Sequence, residues 1–235
     1  MNDKIVIVTG GTGALGRYIV SKYAASGWKV YIPVSSMKKF MTVFDNSQDE
    51  DSSFSLRKIY AFECNVLNEE SAAEFVRKVA ALEKGKIDVL VNTVGGYRPP
   101  VQTNKITTDG FDELFNLNFK TTLWFSREVL KVMLNNKSGR IVSIAAKPGL
   151  EPAAGILTYS LSKSAVINLM ETINKEFSKD NIRCYSIVPT VIDTPSNREW
   201  GSEADIKKWV KPEDMADVIY NLNDKQPTIV KMGFN

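Results

Sequence analysis

Strand-like and helix-like runs alternate along this chain from end to end, and no other feature of the sequence constrains its fold as strongly. Lys4–Thr9 (KIVIVT) is a continuous run rich in β-branched residues, as expected of a strand buried on both faces. Further strands are expected at Trp28–Val34, Arg57–Cys64, Ile87–Asn92, Arg140–Ala145 and Ile182–Val188, with a short last one at Thr228–Lys231. Between them lie helical patterns. One covers about Ala14–Ala25. Another is capped by Asn68 and carries Ala72, Phe75, Val76, Val79 and Leu82 on one face. A long one runs from Thr107 or Thr108 towards Asn136. A fourth runs from about Thr158 to Ser178 with a stripe of Val166, Leu169, Met170, Ile173 and Phe177, and a fifth covers Pro212–Leu222. Repeated strand–helix–strand units force a mostly parallel sheet with helices on both faces. The expectation is an α/β, doubly wound sheet of about seven strands, forming one domain over residues 1–235 without internal repeat or linker.

Two segments depart from the alternation. Asp45–Ser55 (DNSQDEDSSFS) is polar and reads as a mobile surface loop. Pro189–Lys211 is irregular and follows the sixth strand, where a substrate-binding loop would sit.

Composition narrows the chemistry. The chain of 235 residues contains no histidine, which excludes Ser-His-Asp hydrolysis and any histidine-ligated metal site; no metal is expected. Its 30 basic and 27 acidic residues are interspersed, so neither a nucleic acid nor a membrane surface is the expected partner. Cys64 and Cys184 lie in or beside strands without CxxC spacing, and read as reduced thiols of a cytoplasmic protein. Asp3 and Lys4 lead straight into a strand, so no signal peptide is expected. No apolar run approaches the roughly 20 residues that span a bilayer.

Three motifs carry the functional signal. Thr9-Gly10-Gly11-Thr12-Gly13-Ala14-Leu15-Gly16 follows a strand and opens a helix. In that setting glycines permit a tight turn and close approach of a pyrophosphate, and the helix start supplies N–H groups and positive dipole. Tyr159 and Lys163 stand at i and i+4 on one helix. An ammonium near a phenol favours the phenolate and is expected to lower its pKa from about 10. Asn92-Thr93-Val94-Gly95-Gly96 closes the fourth strand, at the end of an open parallel sheet where ligands bind.

With these motifs in hand, the sequence resembles the short-chain dehydrogenase/reductase family over nearly its whole length. The resemblance rests on Thr9–Gly16, Asn92–Gly96, Asn118 within Phe115-Asn116-Leu117-Asn118, the strand Gly139–Ile144, Tyr159 with Lys163, and Pro189 with Thr194. It implies a Rossmann fold, a nicotinamide cofactor, a small-molecule substrate, and a homodimer or homotetramer built on the two long helices. It further implies that Tyr159 is the catalytic acid and base, that Lys163 binds the nicotinamide ribose and tunes Tyr159, and that Asn118 holds a water in the proton relay. The cofactor surface it implies includes Thr9, Gly10, Thr12, Gly13, Ala14, Leu15 and Gly16 at the first turn. Ser35 follows the second strand, Asn65 (towards adenine) and Val66 the third, and Asn92, Thr93, Val94 and Gly95 the fourth. Tyr159 and Lys163 complete the surface with Pro189, Val191, Ile192 and Thr194, the last near the carboxamide.

One expected residue is missing. The family pattern places a serine about thirteen residues before the tyrosine, and here that position is Ala146. Ser143 lies three residues earlier, where strand alternation turns it away from the face of Ala146. Dihydropteridine reductases, a branch of the same superfamily, also lack the serine. The chain is similar to them at Gly95-Gly96, Ala146-Lys147, Tyr159/Lys163, Asp193-Thr194-Pro195, Asn197-Arg198 and Trp209. It departs from them at Val34-Ser35-Ser36, where that branch has an aspartate suited to NADH. Without a carboxylate there, and with Lys38 and Lys39 just beyond, NADP(H) is the expected cofactor in preference to NAD(H). The leading reading is hydride transfer from NAD(P)H to a small carbonyl or conjugated imine. The alternatives are a dihydropteridine reductase proper and a cofactor-binding sensor without turnover.

Overall fold

The computed structural model describes residues 3–44 and 58–234; the loop expected at Asp45–Ser55 lies outside the described residues. Seven parallel strands form one sheet in the order β3-β2-β1-β4-β5-β6-β7. They are β1 (Ile5–Thr9), β2 (Lys29–Val34), β3 (Ile59–Glu63), β4 (Val89–Asn92), β5 (Gly139–Ile144), β6 (Ile182–Pro189) and β7 (Ile229–Met232). The chain winds outward from β1 to β3, returns to β4 on the other side of β1, and then winds the other way. That reversal opens a crevice at the carboxyl ends of β1 and β4.

Strand alternation divides β1 between two cores. Val6 and Val8 join one cluster with α1 (Gly16–Ala25), α2 (Met37–Phe44) and α9 (Pro212–Tyr220). Ile5 and Ile7 join the other with α3 (Glu69–Leu82), α5 (Thr121–Asn136) and α6 (Leu157–Phe177). On the first face Tyr23 meets Trp28 and Tyr220 edge-on, at centroid distances of 5.0 and 5.2 Å. On the second, Phe75 of α3 meets Phe125 of α5 at 6.0 Å. No helix among the described residues is long and apolar enough to cross a membrane.

Three local features differ from the sequence expectation. The long helix is not uniform: α4 (Thr108–Phe115) passes through a π-helical turn, Asn116–Lys120, before continuing as α5. Such single-turn widenings recur at functional sites, and this one contains Asn118. A short helix, α2, adds to the helical patterns read from the sequence and is separated from the end of β2 by Ser35 and Ser36. Finally, the segment after β6 is more ordered than its composition suggests. It holds two short helices, α7 (Pro195–Arg198) and α8 (Glu203–Ile206). It is tied back on itself by a parallel bridge of Ile192 with Val210.

Phe125 is completely buried between the sheet and α3. Phe125→Ala should therefore cost about 3–5 kcal/mol of unfolding free energy in urea denaturation. Met41→Ala, at an exposed site, should stay within about 0.5 kcal/mol of the wild type.

Candidate functional site

The first turn is built around close backbone approaches. Gly10 has φ +66°, and a Cβ there would stand 2.7 Å from Thr93 Oγ1 and 3.2 Å from the Val94 nitrogen. Only glycine accepts that conformation and that contact together. The Gly13 N–H donates to the Gly10 carbonyl at 2.8 Å, and the Arg17 N–H to the Gly13 carbonyl at 3.1 Å. Gly16 packs on the backbone of Gly10 and Gly11, where a side chain has no room. The start of α1 has Leu15 as its cap, with no side-chain acceptor, and no acidic residue in its first turn. Its N–H groups are therefore free of a competing carboxylate, as an anion site requires.

The ends of β1 and β4 are latched together. Thr93 Oγ1 donates to the Thr9 carbonyl at 2.6 Å, and the Thr93 N–H donates to Thr9 Oγ1 at 3.2 Å. Asn92 is buried and donates from Nδ2 to Ser126 Oγ and Ser143 Oγ, each at 3.1 Å. Ser143 is buried as well and donates to Met170 Sδ at 3.3 Å. It is a structural serine inside the second core, and no hydroxyl stands at Ala146, which is itself buried.

From Gly95 the site reaches the middle of α6. Asn118 Oδ1 accepts from the Gly96 N–H at 2.7 Å, while its Nδ2 donates to the Gly96 carbonyl at 3.1 Å and to Ser162 Oγ at 3.0 Å. Its backbone carbonyl accepts from Thr122 Oγ1 at 3.2 Å. A Cβ on Gly95 would lie 2.9 Å from Asn118 Oδ1 and 3.2 Å from Lys163 Nζ, so the β4–α4 connection, Asn118 and Lys163 meet at a position that needs glycine. Lys163 donates to the Ile144 carbonyl at 2.9 Å, and its Nζ stands 5.9 Å from the centre of the Tyr159 ring. The ring of Tyr97, exposed to solvent, meets Tyr159 edge-on at 5.3 Å.

The electrostatics here differ from the sequence expectation. Lys163 is buried, with no carboxylate paired to it among the described residues, and burial pulls its ammonium down to about 8. The Tyr159 phenol is pushed up to about 12, first by burial and then by Tyr97. Lys163 does not lower it in this arrangement, because desolvation of the phenolate outweighs attraction across this separation. Both shifts favour the uncharged forms, the phenol of Tyr159 and the amine of Lys163, relative to the same groups in water.

The remaining expected positions follow the carboxyl edge of the sheet. Ser35 follows β2 and is exposed. Asn65 follows β3, with its Oδ1 accepting from the Leu67 N–H at 3.1 Å and Val66 half-buried beside it. Pro189 ends β6, and Val191 and Ile192 enter the bridge to Val210. Thr194 caps α7, its Oγ1 accepting from the Asn197 N–H at 3.2 Å. The structure brings Thr9, Gly10, Thr93 and Val94 into one group. Gly95, Asn118, Tyr159 and Lys163 form a second, adjoining one. Ser35, Asn65 and Val66 follow β2 and β3 and so belong to the far half of the same edge. Sequence reasoning missed Tyr97, Ser162 and the Ile144 carbonyl. Each matters through a contact between distant segments, and no local pattern marks it.

A family model described as short chain dehydrogenase matches residues 4–205. The chain belongs to the short chain dehydrogenase family. It is an oxidoreductase of that family, and its all-parallel Rossmann sheet agrees with the match. It is 34% identical over 199 residues to a 7alpha-hydroxysteroid dehydrogenase of Bacteroides fragilis, covering 83% of this chain and 73% of the relative. It is 31% identical over 241 residues to an uncharacterized oxidoreductase of Staphylococcus saprophyticus, covering 99% and 96%. Among solved structures, ElxO with NADP bound superposes with a TM-score of 0.86 at 24% identity, covering 98% of each chain. An NAD+-bound xylitol dehydrogenase does so with a TM-score of 0.83 at 20% identity, covering 98% and 97%. Those two likenesses establish the fold.

A buried ammonium with one acceptor is a cost to the folded short-chain dehydrogenase. Lowering a lysine from 10.5 to about 8 corresponds to on the order of 3 kcal/mol. Below pH 8 both folded and unfolded chains carry the proton and the cost is complete. Between about 8 and 10.5 the unfolded chain holds more protons, so stability from this group rises with pH. Lys163→Met should accordingly raise the melting temperature at pH 7 without added cofactor by several degrees. The gain should shrink as pH passes above 8, as thermal denaturation across a pH series will show.

Proposed function

We propose that this short-chain dehydrogenase transfers a hydride from a nicotinamide dinucleotide to a small carbonyl or conjugated imine, with Tyr159 as proton donor. The observation that carries the reading is the placement of Tyr159 one helical turn from Lys163, whose buried ammonium stands 5.9 Å from the centre of the phenol ring and donates to the Ile144 carbonyl. Three ammonium donors with one committed to Ile144 leave two for ribose hydroxyls. The glycine cradle at Gly10, Gly13 and Gly16, opening onto a helix start with no acidic residue in its first turn, suits the pyrophosphate. Both features fit a dinucleotide, and relatives of the same fold are described with NADP and with NAD+ bound.

The cofactor supplies the hydride when bound. Lys163 holds it by the ribose and keeps positive charge beside Tyr159. Tyr159 gives its proton to the substrate oxygen or nitrogen that gains electron density. Asn118, fixed by Gly96 and Ser162, holds a water that returns a proton towards Tyr159. The segment 189–211, stapled by the Asp193–Arg198 ion pair and the Trp200–Trp209 ring contact, covers the substrate. A homodimer or homotetramer fits the exposure of Leu157 and Leu161 on α6.

Ala146 sets the substrate class. A hydroxyl at that position would help stabilise an oxygen gaining negative charge, and such a donor is worth roughly 10²–10³ in rate. Without it, the enzyme works best on acceptors whose own conjugation spreads the charge, such as quinonoid dihydropterins or activated dicarbonyls.

Two experiments test these roles. Tyr159→Phe should lose about 10²–10⁴ in kcat while cofactor Kd stays within a few-fold; wild-type turnover in that variant contradicts the assignment. A panel of a quinonoid dihydropterin, an activated dicarbonyl, a 7-oxosteroid and a simple ketone should rank the first two highest in kcat/KM. Ala146→Ser should help the simple ketone selectively. A wild-type enzyme that turns over the simple ketone best contradicts the role given to Ala146.

A further inference from the structure

We propose that Glu63, on β3, sets the choice of cofactor and turns the enzyme towards NAD(H). This rests on the reading of the site as a dinucleotide site. Read from the end of β2 alone, Val34-Ser35-Ser36 offers no carboxylate, and Lys38 and Lys39 lie beyond, which points to NADP(H). Strand pairing changes that picture. β2 and β3 are parallel, and their register sets Val34 beside Glu63. A carboxylate therefore stands at the end of β2 after all, contributed by the neighbouring strand.

Its placement is fixed by a backbone contact. Glu63 Oε1 accepts from the Met37 N–H at 3.3 Å, the first residue of α2. The N–H groups of that first turn are the ones a phosphate beside Ser35 and Ser36 would use, and the carboxylate already engages one of them. Glu63 takes part in no ion pair among the described residues. The nearby Lys78 instead places its ammonium 3.8 Å from the centre of the Phe62 ring. No ion pair among the described residues neutralises Glu63, and its carboxylate meets a 2′-phosphate as like against like. Two ribose hydroxyls, by contrast, can donate to a carboxylate at the end of β2. Lys38 and Lys39 are exposed. Glu63 is exposed as well, so solvent screens all three; the difference is that Glu63 is tied to the Met37 N–H at the end of β2, whereas neither lysine has an ion-pair partner among the described residues to hold it there.

The test is a binding measurement. Dissociation constants for NADH and NADPH are taken by calorimetric titration at low salt and at 0.5 M salt, for the wild type, Glu63→Gln and Glu63→Lys. The wild type should bind NADH more tightly than NADPH by about tenfold at low salt, and high salt should narrow the gap. Glu63→Gln should tighten NADPH about tenfold and leave NADH within a few-fold, and Glu63→Lys should reverse the preference. A wild type that prefers NADPH overturns the inference, as does a ratio unmoved by both substitutions; either outcome leaves the dinucleotide site standing. A wild type that binds neither cofactor overturns the dinucleotide reading and this inference with it.

Discussion

Every part of the site hangs from the pairing of β1 with β4. These two strands lie side by side in the sheet although the chain visits β2 and β3 between them, and the reciprocal hydrogen bonds of Thr9 and Thr93 close their carboxyl ends. That closure brings the glycine turn of Gly10 against the Thr93–Val94 backbone within a gap that no side chain would fit. It also starts the β4–α4 connection in the direction that carries Gly95 and Gly96 to Asn118 and Lys163. A parallel sheet with its winding reversed at this point has one crevice, and the chemistry-bearing residues of three distant segments converge on it.

Convergence has an electrostatic consequence. Lys163 is drawn into a buried position where, among the described residues, the Ile144 carbonyl is its hydrogen-bond acceptor, and half-buried Tyr159 into one that disfavours its phenolate. The folded chain tolerates both because the surrounding core is well packed: Val166, Ile167 and Met170 on the same helix are buried. The site is therefore a place where stability is given up for chemistry.

Much of this was legible in the sequence because it depends on local pattern. The seven strands show as β-branched runs between turns, and the long helices α3 and α6 as apolar stripes. The glycine motif shows because its spacing is contiguous, and the Tyr159/Lys163 pair because i and i+4 share a helix face. Alternation along β5 was enough to turn Ser143 inward, where it meets Asn92 and Met170. What stayed hidden depends on contacts across the fold. Glu63 read as an ordinary strand residue until the register set it beside Val34. The π-helical turn at Asn116–Lys120 looked like uninterrupted helix, since its residues are compatible with either. The effect of Lys163 on Tyr159 was read from sequence spacing, which gives proximity but not desolvation, and desolvation decides the sign.

The central claim is that burial keeps Tyr159 a neutral phenol beside a buried ammonium. Tyrosine labelled with ¹³C at Cζ reports ionisation directly, with Tyr159→Phe assigning the resonance. Followed against pH in the protein without added cofactor, the Tyr159 signal should remain that of a neutral phenol past pH 10 and move only as pH approaches about 12. Ionisation of Tyr159 below pH 9 would contradict the account, because Lys163 would then govern the phenol in place of burial.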